Sequence, residues 1–305
     1  MINKGCYTKK ADAVERIIQN TDIITSDGEV VELHREMLNN LVCDITNELL
    51  IEDKGINENF IKIKNENNSM LSIGGYFYHL LFKNILNKEF DENYIIRFAK
   101  LCTYMNYENI IVEGETKGRI KILEKNLNKV WDLSERELRN TKKYLIDNKL
   151  IFIDGQGVIT VNKEYAIKGK VKGDSNMTRV FKNGFNELYD NVTPRQHGQL
   201  ATFIKLLPYL NSEFNILCEN PEETDIRLIK PLGWNELGEK IGLTKDQSKK
   251  LKQKLWKMKI KNTVVFGEFG TFICGKSIVV NPAIFWKSNK GHILDIAKLF
   301  EIGNI

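Results

Sequence analysis

An internal repeat constrains this chain more than any other feature of its sequence. Residues 98–106, Phe-Ala-Lys-Leu-Cys-Thr-Tyr-Met-Asn, align with residues 203–211, Phe-Ile-Lys-Leu-Leu-Pro-Tyr-Leu-Asn, so that Phe, Lys, Leu, Tyr and Asn coincide. Two further matches follow in the same order, with offsets that grow as loop insertions would make them grow. These are Leu127–Ser134 with Leu237–Thr244, and Val161-Asn162 with Val280-Asn281. Ordered matches of this kind indicate two copies of one structural unit.

Each copy predicts the same succession of elements. Apolar residues recur at helical spacing, and β-branched runs bounded by Gly, Asn and Asp indicate strands and hairpins. In the first copy we expect helices at 76–88 and 94–105, a strand at 109–112, helices at 119–129 and 134–148, and a hairpin at 150–161 with its tip at 154–157. In the second copy we expect a strand at 214–217, helices at 234–241 and 244–259, and a hairpin at 263–280 with Gly267 and Gly270 at its tip. Helix, strand, helix, turn, helix, hairpin is the winged-helix order.

Two matched helix starts support this interpretation. Ser134 with Glu137, and Thr244 with Gln247, both fit the capping box, in which a Ser or Thr cap is followed three residues later by Glu or Gln. They fall at the same point of the repeat, directly after the predicted turn. A capping box alone is common, whereas an aligned pair is a much stronger signal.

The predicted fold class is therefore α+β, predominantly helical, with tandem winged helix-turn-helix domains and an N-terminal helical extension. The expected ranges are 1–65 for the extension, 66–172 for domain 1, 173–291 for domain 2 and 292–305 for a C-terminal tail. Within the extension, 11–20 and 29–51 have helical patterns. The extension either packs against the first winged helix or provides a helix for dimerisation or partner docking.

The second helix of a helix-turn-helix lies in the major groove of DNA. On the helix at 134–148, Leu138, Thr141 and Leu145 share a face that we expect to pack inward. The opposite face offers Arg and Asn, which suit bidentate contacts with guanine and adenine. The candidate DNA-binding residues of the first copy are Ser134, Arg136, Arg139, Asn140 and Lys143, with Gln156 in the hairpin.

The second copy has a more uniformly basic helix. Ser248, Leu251 and Leu255 are expected to turn inward, and residues 245–261 contain eight lysines and one acid. Lysine is a point charge rather than a planar fork, so we expect this copy to contact the DNA backbone and the first copy to read bases. Its candidate residues are Thr244, Lys245, Lys249, Lys250, Gln253 and Lys257, with Lys276 in the hairpin.

The distribution of charge is consistent with a polyanionic partner. Residues 1–65 carry 8 basic and 12 acidic side chains, residues 66–172 carry 18 and 14, and residues 173–305 carry 19 and 14. The positive field thus lies on the last two thirds of the chain, where it could steer DNA. The 36 lysines against nine arginines are typical of a low-GC genome, so total basicity is weak evidence.

Several functional classes lack support. No apolar run approaches the ~20 residues that cross a bilayer, and the N-terminus lacks a signal-peptide pattern, so we expect a cytoplasmic protein without a membrane partner. The five cysteines are scattered without a Cys-x-x-Cys pair, which argues against a disulfide framework and a zinc site. The four histidines form no His-x-His or His-Glu-x-x-His motif. We therefore expect no enzyme, no metal and no cofactor.

One motif imitates a nucleotide site. Residues 270–277, Gly-Thr-Phe-Ile-Cys-Gly-Lys-Ser, fit the Walker A expression. A true site requires a helix starting at Lys276, so that helix N-terminal amides hold the phosphates. Ile278-Val-Val-Asn-Pro282 is instead β-branched and ends in Asn-Pro, which predicts a strand leaving a hairpin. We expect no nucleotide partner.

A resemblance to a known family is carried by Leu206–Asn211, Leu243-Thr244 and Val280–Pro282 with Lys287. In these residues the chain resembles winged-helix replication proteins of plasmids and phages of low-GC Gram-positive bacteria, and the resemblance covers roughly 76–291. Two winged helices in one chain of this length are also similar to iteron-binding theta-type initiators. The resemblance implies origin or operator binding and carries over no catalytic residue. It indicates the fold better than the process served, since repressors and segregation proteins share the domain.

The sequence thus predicts a double-stranded DNA-binding protein that initiates plasmid or phage replication at repeated origin sites. A second copy of the chain, as a dimer, or host replication proteins are further candidate partners. A transcriptional regulator or a plasmid segregation protein is the alternative within DNA binding. A protein-interaction module without DNA binding is the alternative from another class.

Overall fold

The computed structural model describes residues 21–24, 30–32, 70, 72–114, 118–169, 171, 177–260, 263–271, 275–287 and 293–302. In this part of the chain the fold is α+β, with mostly short helices and small antiparallel sheets. Two compact units are formed. The first unit consists of 74–208 with 284–287, and the second unit consists of the remaining described residues.

The first unit contains most of the first copy of the repeat and the opening elements of the second. Its helices are α1 (Phe82–Leu86), α2 (Glu92–Cys102), α3 (Glu135–Asp147), α4 (Lys182–Asp190) and α5 (His197–Leu206), with 3-10 helices at Glu124–Lys129 and Pro194–Gln196. Its strands are β3 (Phe77–Leu80), β4 (Val112–Glu113), β5 (Ile120–Lys121), β6 (Ile151–Ile153), β7 (Ile159–Val161), β8 (Ala166–Ile167), β9 (Thr178–Phe181) and β14 (Phe285–Trp286).

A four-stranded antiparallel sheet forms the centre of the first unit, in the order β14-β9-β3-β8. Strand β3 comes from the first copy of the repeat and pairs with β9 from the second, with Phe77 opposite Phe181 and Leu80 opposite Thr178. The closing strand of each copy, β8 or β14, then flanks the opening strand of the same copy. We expected residues 178–206 in the second domain. They are in the first unit, because their strand β9 is part of this sheet.

Two predicted helices of the first copy are wrong in part. Residues 77–80 are strand rather than the start of a helix at 76–88, because Phe-Tyr-His-Leu is an aromatic run buried between β9 and β8. In the helix expected at 119–129, residues 120–121 are likewise strand. Only residues 124–129 are helical, and they form a 3-10 helix. The exposed Ile120 belongs to a short hairpin with β4, so its apolar side chain does not mark a helix face.

Asparagine residues shape the same turn in both copies. Asn109 and Asn215 are buried and have positive φ angles of 63° and 55°. Asn109 Nδ2 donates to the carbonyls of Val161 and Ala166, and Asn215 Nδ2 donates to the carbonyl of Val280. Asparagine tolerates the left-handed region better than most residues, so it can occupy this turn. Its side-chain hydrogen bond then links the turn to the hairpin that closes the same copy. The strands expected at 109–112 and 214–217 are reduced around these turns to isolated bridges and β4.

The second unit contains the later elements of the second copy. Its helices are α6 (Trp234–Lys240), α7 (Lys245–Trp256) and α8 (Ile293–Ile302), with a 3-10 helix at Ile226–Leu228. A 3-10 helix at Leu207–Tyr209 begins in the first unit and ends in the second. Its strands are β1 (Thr21–Ile24), β2 (Val30–Glu32), β10 (Lys259–Ile260), β11 (Thr263–Val264), β12 (Phe266–Thr271) and β13 (Gly275–Val280). Helix α7 thus ends at Trp256, three residues before the predicted end at 259.

Helices α6 and α7 cross at very short range. A Cβ added at Gly238 would lie 2.4 Å from Ser248 Cβ and 2.8 Å from Ser248 Cα, so glycine is required where the helices touch. The turn between them contains Gly242 at a φ of +81°, and the amide of Leu243 donates to the carbonyl of Gly238. This turn ends one helix and points the chain into the next.

The hairpin of the second copy belongs to a sheet in the order β13-β12-β1-β2. Gly267 and Gly270 are not at its tip, as we expected, but inside β12, opposite Val279 and Lys276. A Cβ at Gly267 would lie 2.6 Å from the Phe269 ring, so that glycine makes room for an aromatic side chain.

Both ends of the chain differ from expectation where they are described. Residues 30–32 form β2 rather than part of a helix at 29–51. Strand β1 pairs with β12, so the described strands of the extension belong to the second unit and not to the first copy, against which packing was one expectation. The expected helix at 11–20 lies outside the described residues. The C-terminal segment is not merely a tail, because α8 packs Phe300 into a core with Phe269 and Val279.

Candidate nucleic-acid interface

A buried arginine of α2 anchors helix α3. Arg97 is 5% exposed, and its guanidinium donates to Thr141 Oγ1 at 2.8 Å and to Glu137 Oε1 at 3.1 Å. Its Nε donates to His197 Nδ1 at 3.2 Å. Because a guanidinium presents its donors in a fixed planar fork, these bonds set the orientation of α3 on the unit.

His197 accepts this bond as a neutral imidazole. Burial and the nearby charge of Arg97 lower the pKa of His197 to about 4. The ring also packs against Tyr189, with the ring centroids 4.3 Å apart. Lys100, one turn after Arg97, is buried and donates to Asp190 Oδ1 at 2.7 Å. Both cations of α2 therefore support the protein interior and do not face a ligand.

The outer face of α3 is free of such contacts. Thr141 and Leu145 are fully buried as expected, whereas Leu138 is only half-buried. The predicted DNA-binding side chains of this helix are exposed, and within the described ranges none of them has an ion pair or a side-chain hydrogen bond. They are Arg136, Arg139, Asn140 and Lys143. Two arginines, a lysine and an amide are thus presented to solvent on one helix face.

The two helix caps differ in detail. Thr244 forms the full capping box, with its amide donating to Gln247 Oε1 at 2.9 Å and its hydroxyl accepting from the Gln247 amide at 3.3 Å. Ser134 makes only half of one, because the Glu137 carboxylate binds the Ser134 hydroxyl and Arg97 rather than the Ser134 amide. Both cap hydroxyls, predicted to contact DNA, are exposed and engaged in capping.

Helix α7 presents a lysine-rich face. Ser248, Leu251 and Leu255 are buried, as the pattern predicts. Lys249 approaches Asp246 at 3.9 Å, the outer limit of an ion pair. The predicted DNA-binding side chains on this helix and at its C-terminal end are all exposed. They are Lys245, Lys249, Lys250, Gln253 and Lys257.

A buried glutamate joins α7 to the hairpin of the second unit. The Glu268 side chain is 4% exposed, and its Oε2 accepts from Lys252 Nζ at 3.0 Å and from Lys276 Nζ at 2.7 Å. Its Oε1 accepts from Trp234 Nε1 at 2.5 Å. Burial raises the pKa of Glu268, but the hydrogen bonds from these three side chains outweigh burial and lower it, so the carboxylate is ionised. We call these four residues the Glu268 cluster.

The hairpins place the remaining two candidates in different settings. Gln156 is exposed at the tip of β6–β7, within the predicted tip at 154–157, and its backbone amide donates to Asp154 Oδ1. Lys276 is on β13, and its ammonium group already forms an ion pair with Glu268. Residues 275–280 are strand, so no helix begins at Lys276 and the Walker A expression lacks the geometry that phosphate binding requires.

Sequence reasoning missed the roles of Arg97, Lys252 and Glu268. A signal for Glu268 was present, since it stands between Phe266 and Phe269 in a strand whose neighbours are apolar. Arg97 and Lys252 had no such signal, because each owes its role to a partner distant in sequence.

Other kinds of site find no support in the described residues. These residues bring together no group of three or more His, Cys, Asp or Glu side chains that could hold a metal ion. None of the described helices combines the length and apolar composition needed to cross a membrane. Comparisons with protein-family models, curated proteins and solved structures find no match to this chain.

Proposed function

We propose that this chain is a double-stranded DNA-binding protein with two winged helices, and that it initiates plasmid or phage replication at repeated origin sites. The observation that carries the proposal is the equivalence of α3 and α7. Each follows a turn at the same point of the repeat, buries one face and exposes a cationic one. An exposed helix face of Arg, Asn and Lys is what reading a major groove requires.

The order of elements supports the winged-helix part of the proposal. In each copy a capped helix follows a shorter helix and precedes an antiparallel hairpin, β6–β7 or β12–β13. Two winged helices in one chain suit DNA in which the recognised sequence is repeated. The different compositions of α3 and α7 favour base reading by the first and backbone contact by the second.

The division of labour is tested with paired variants of the full chain. Arg139→Ala with Asn140→Ala should reduce the preference between duplex sequences, because each bidentate base contact contributes about 1–3 kcal/mol of discrimination. Lys249→Ala with Lys250→Ala should weaken binding to all duplexes by a similar factor. Lys88→Ala with Lys230→Ala removes the same charge from exposed lysines elsewhere and serves as the control.

The readout is selection of bound duplexes from a randomised library, followed by affinity measurement on the selected sequence. We expect the selected sequence to occur as direct repeats in the DNA beside the gene. A single inverted repeat at a promoter would contradict the initiator role. A lysine pair that changes which sequence is preferred would contradict the division of labour.

A further inference from the structure

We propose that Lys252 and Lys276 together bind one backbone phosphate of duplex DNA, and that the buried Glu268 carboxylate positions them for it. This inference rests on the proposed function, since the phosphate belongs to the DNA that α7 would contact. Beyond the proposed function, it assigns a phosphate site to one lysine from α7 and one from β13. Glu268 positions both lysines without touching the phosphate.

The Glu268 carboxylate is buried and charged. A carboxylate that is 4% exposed persists as a charge only when it is paired and hydrogen-bonded. Glu268 satisfies this condition with two ammonium groups and the indole N–H of Trp234. Trp234 is itself fixed by edge-to-face contacts with Phe266 and Trp256, so the carboxylate has a rigid surround.

The two lysines are joined at a single atom. Lys252 comes from α7 and Lys276 from β13, yet both donate to the same oxygen, Oε2 of Glu268. On the paired strands Glu268 faces Ile278 and Lys276 faces Gly270, which makes Glu268 and Lys276 diagonal neighbours on one side of the sheet. The two ammonium nitrogens are therefore held close enough to bind neighbouring oxygens of one phosphate.

The lysines keep donors for a ligand. Each ammonium has three N–H donors, and their side chains remain 41% and 54% exposed although the carboxylate between them is buried. Two cations against one anion leave the cluster with a net positive charge. A phosphate can therefore bind from the solvent side while Glu268 holds both lysines from the protein side, and the lysines lose little freedom on binding.

The position of the cluster agrees with this role. Lys252 lies one helical turn after the exposed Lys249 on α7, so the two-lysine site continues the candidate interface towards the hairpin. Because Glu268 is on β12 and Lys276 on β13, the cluster connects the cationic face of α7 to the β12–β13 hairpin.

The first experiment changes the charge of Glu268 in the full chain. Glu268→Gln makes the face more positive, so if the carboxylate has no positioning role, affinity for duplex DNA should rise or stay constant. We expect affinity to fall about tenfold, equivalent to about 1.4 kcal/mol, because the lysines lose their common anchor. Thermal unfolding of each variant reports whether the fold is retained. Unchanged or tighter binding by a folded variant overturns the proposal.

The second experiment counts phosphates. Each phosphate contact adds about −0.9 to the slope of log K against log salt. Lys252→Gln and Lys276→Gln should each make the slope shallower by about 0.9, because Glu268 neutralises the lysine that remains and the phosphate contact is lost. The double variant should also lose about 0.9, because both lysines share one phosphate. A double variant that loses about 1.8 would mean two separate phosphates and would overturn the shared site. Lys230→Gln, at an exposed lysine of the same unit, is the matched control.

The outcomes separate the two proposals. If the wild type binds no duplex at low salt, both the function and the phosphate site are wrong. If it binds duplex and all cluster variants behave like the control, only the phosphate site is wrong. Binding of free ATP that these lysine variants abolish would assign the site to a nucleotide and would also overturn it.

Discussion

At the scale of single residues, buried polar side chains fix the geometry of each copy. Asn109 has a positive φ angle, its Nδ2 donates to the carbonyls of Val161 on β7 and Ala166 on β8, and its Oδ1 accepts from the backbone amide of Lys168. Asn215 repeats this conformation in the second copy. These asparagines combine a strained backbone with bonds that span many residues of sequence.

Replacing Asn109 separates the two contributions. We expect Asn109→Ala to lower the free energy of unfolding by about 2–4 kcal/mol, because it loses buried hydrogen bonds and keeps a side chain in the left-handed region. Asn109→Gly keeps the conformation without strain and should lose less. Chemical denaturation of both variants measures the difference, and equal losses would show that backbone strain contributes nothing.

The buried histidines give the fold a dependence on pH. The pKa values of His79 and His197 are each lowered to about 4, mainly by burial and with added repulsion from Arg179 and Arg97 respectively. Unfolded histidine has a pKa near 6.5, so below that value the unfolded state binds more protons than the folded state. The stability that their neutral forms provide is fully present above pH 6.5 and is lost as pH falls towards 4.

A histidine variant tests this linkage. Between pH 6.5 and 5 the free energy of unfolding should fall by about 1–2 kcal/mol for each histidine. His197→Gln keeps an acceptor for Arg97 but cannot titrate, so it should show a smaller fall across this range, whatever its stability at pH 7. Denaturation at the two pH values gives the result, and an identical fall in the variant would contradict the assigned pKa shift.

At the scale of elements, the sequence predicted the helices and turns whose start and faces are determined by neighbouring residues. Helices α3 and α7 begin at the Ser134 and Thr244 caps, and their buried and exposed faces follow from helical spacing. The turn at 154–157 was also predicted. Strand β3 was not, because its apolar residues continue the helical spacing of α1 and only β9, about a hundred residues later, gives it a partner.

The crossing of α6 and α7 provides an element-scale prediction. In most helices, changing an interior glycine to alanine stabilises by about 0.5–1 kcal/mol. At Gly238 the sign should reverse, with a loss of about 1–3 kcal/mol, because the new methyl group meets the backbone of Ser248 and displaces α7. DNA affinity should fall as well, since the lysine face moves with the helix.

Gly155→Ala is the control for this change, because a Cβ there meets nothing within 4 Å. Thermal unfolding and duplex affinity of both variants are the measurements. If Gly238→Ala is as stable as Gly155→Ala and binds as well, α7 does not depend on the close crossing.

At the scale of the whole molecule, strands of both copies of the repeat belong to one sheet of the first unit. The opening strands of both copies pair in one sheet, and residues 21–24 and 30–32 extend the sheet of the second unit. Neither arrangement could be predicted, because strand pairing across long separations leaves no local pattern. The candidate interface was easier to predict, since helix periodicity shows which cations are exposed. The roles of Glu268 and Arg97 were not predictable, because they depend on partners that are distant in sequence.

Measuring how the full chain binds duplex DNA at increasing salt is the decisive test of whether α3 and α7 contact DNA. We expect submicromolar binding of a labelled duplex at low salt, measured by fluorescence anisotropy, and a log–log slope of about −3.6 or steeper, because neutralising at least four phosphates contributes about −0.9 for each. The control variant with Lys88→Ala and Lys230→Ala should keep this slope. Absence of binding at low salt, or binding that does not respond to salt, would contradict the assignment of α3 and α7 to DNA.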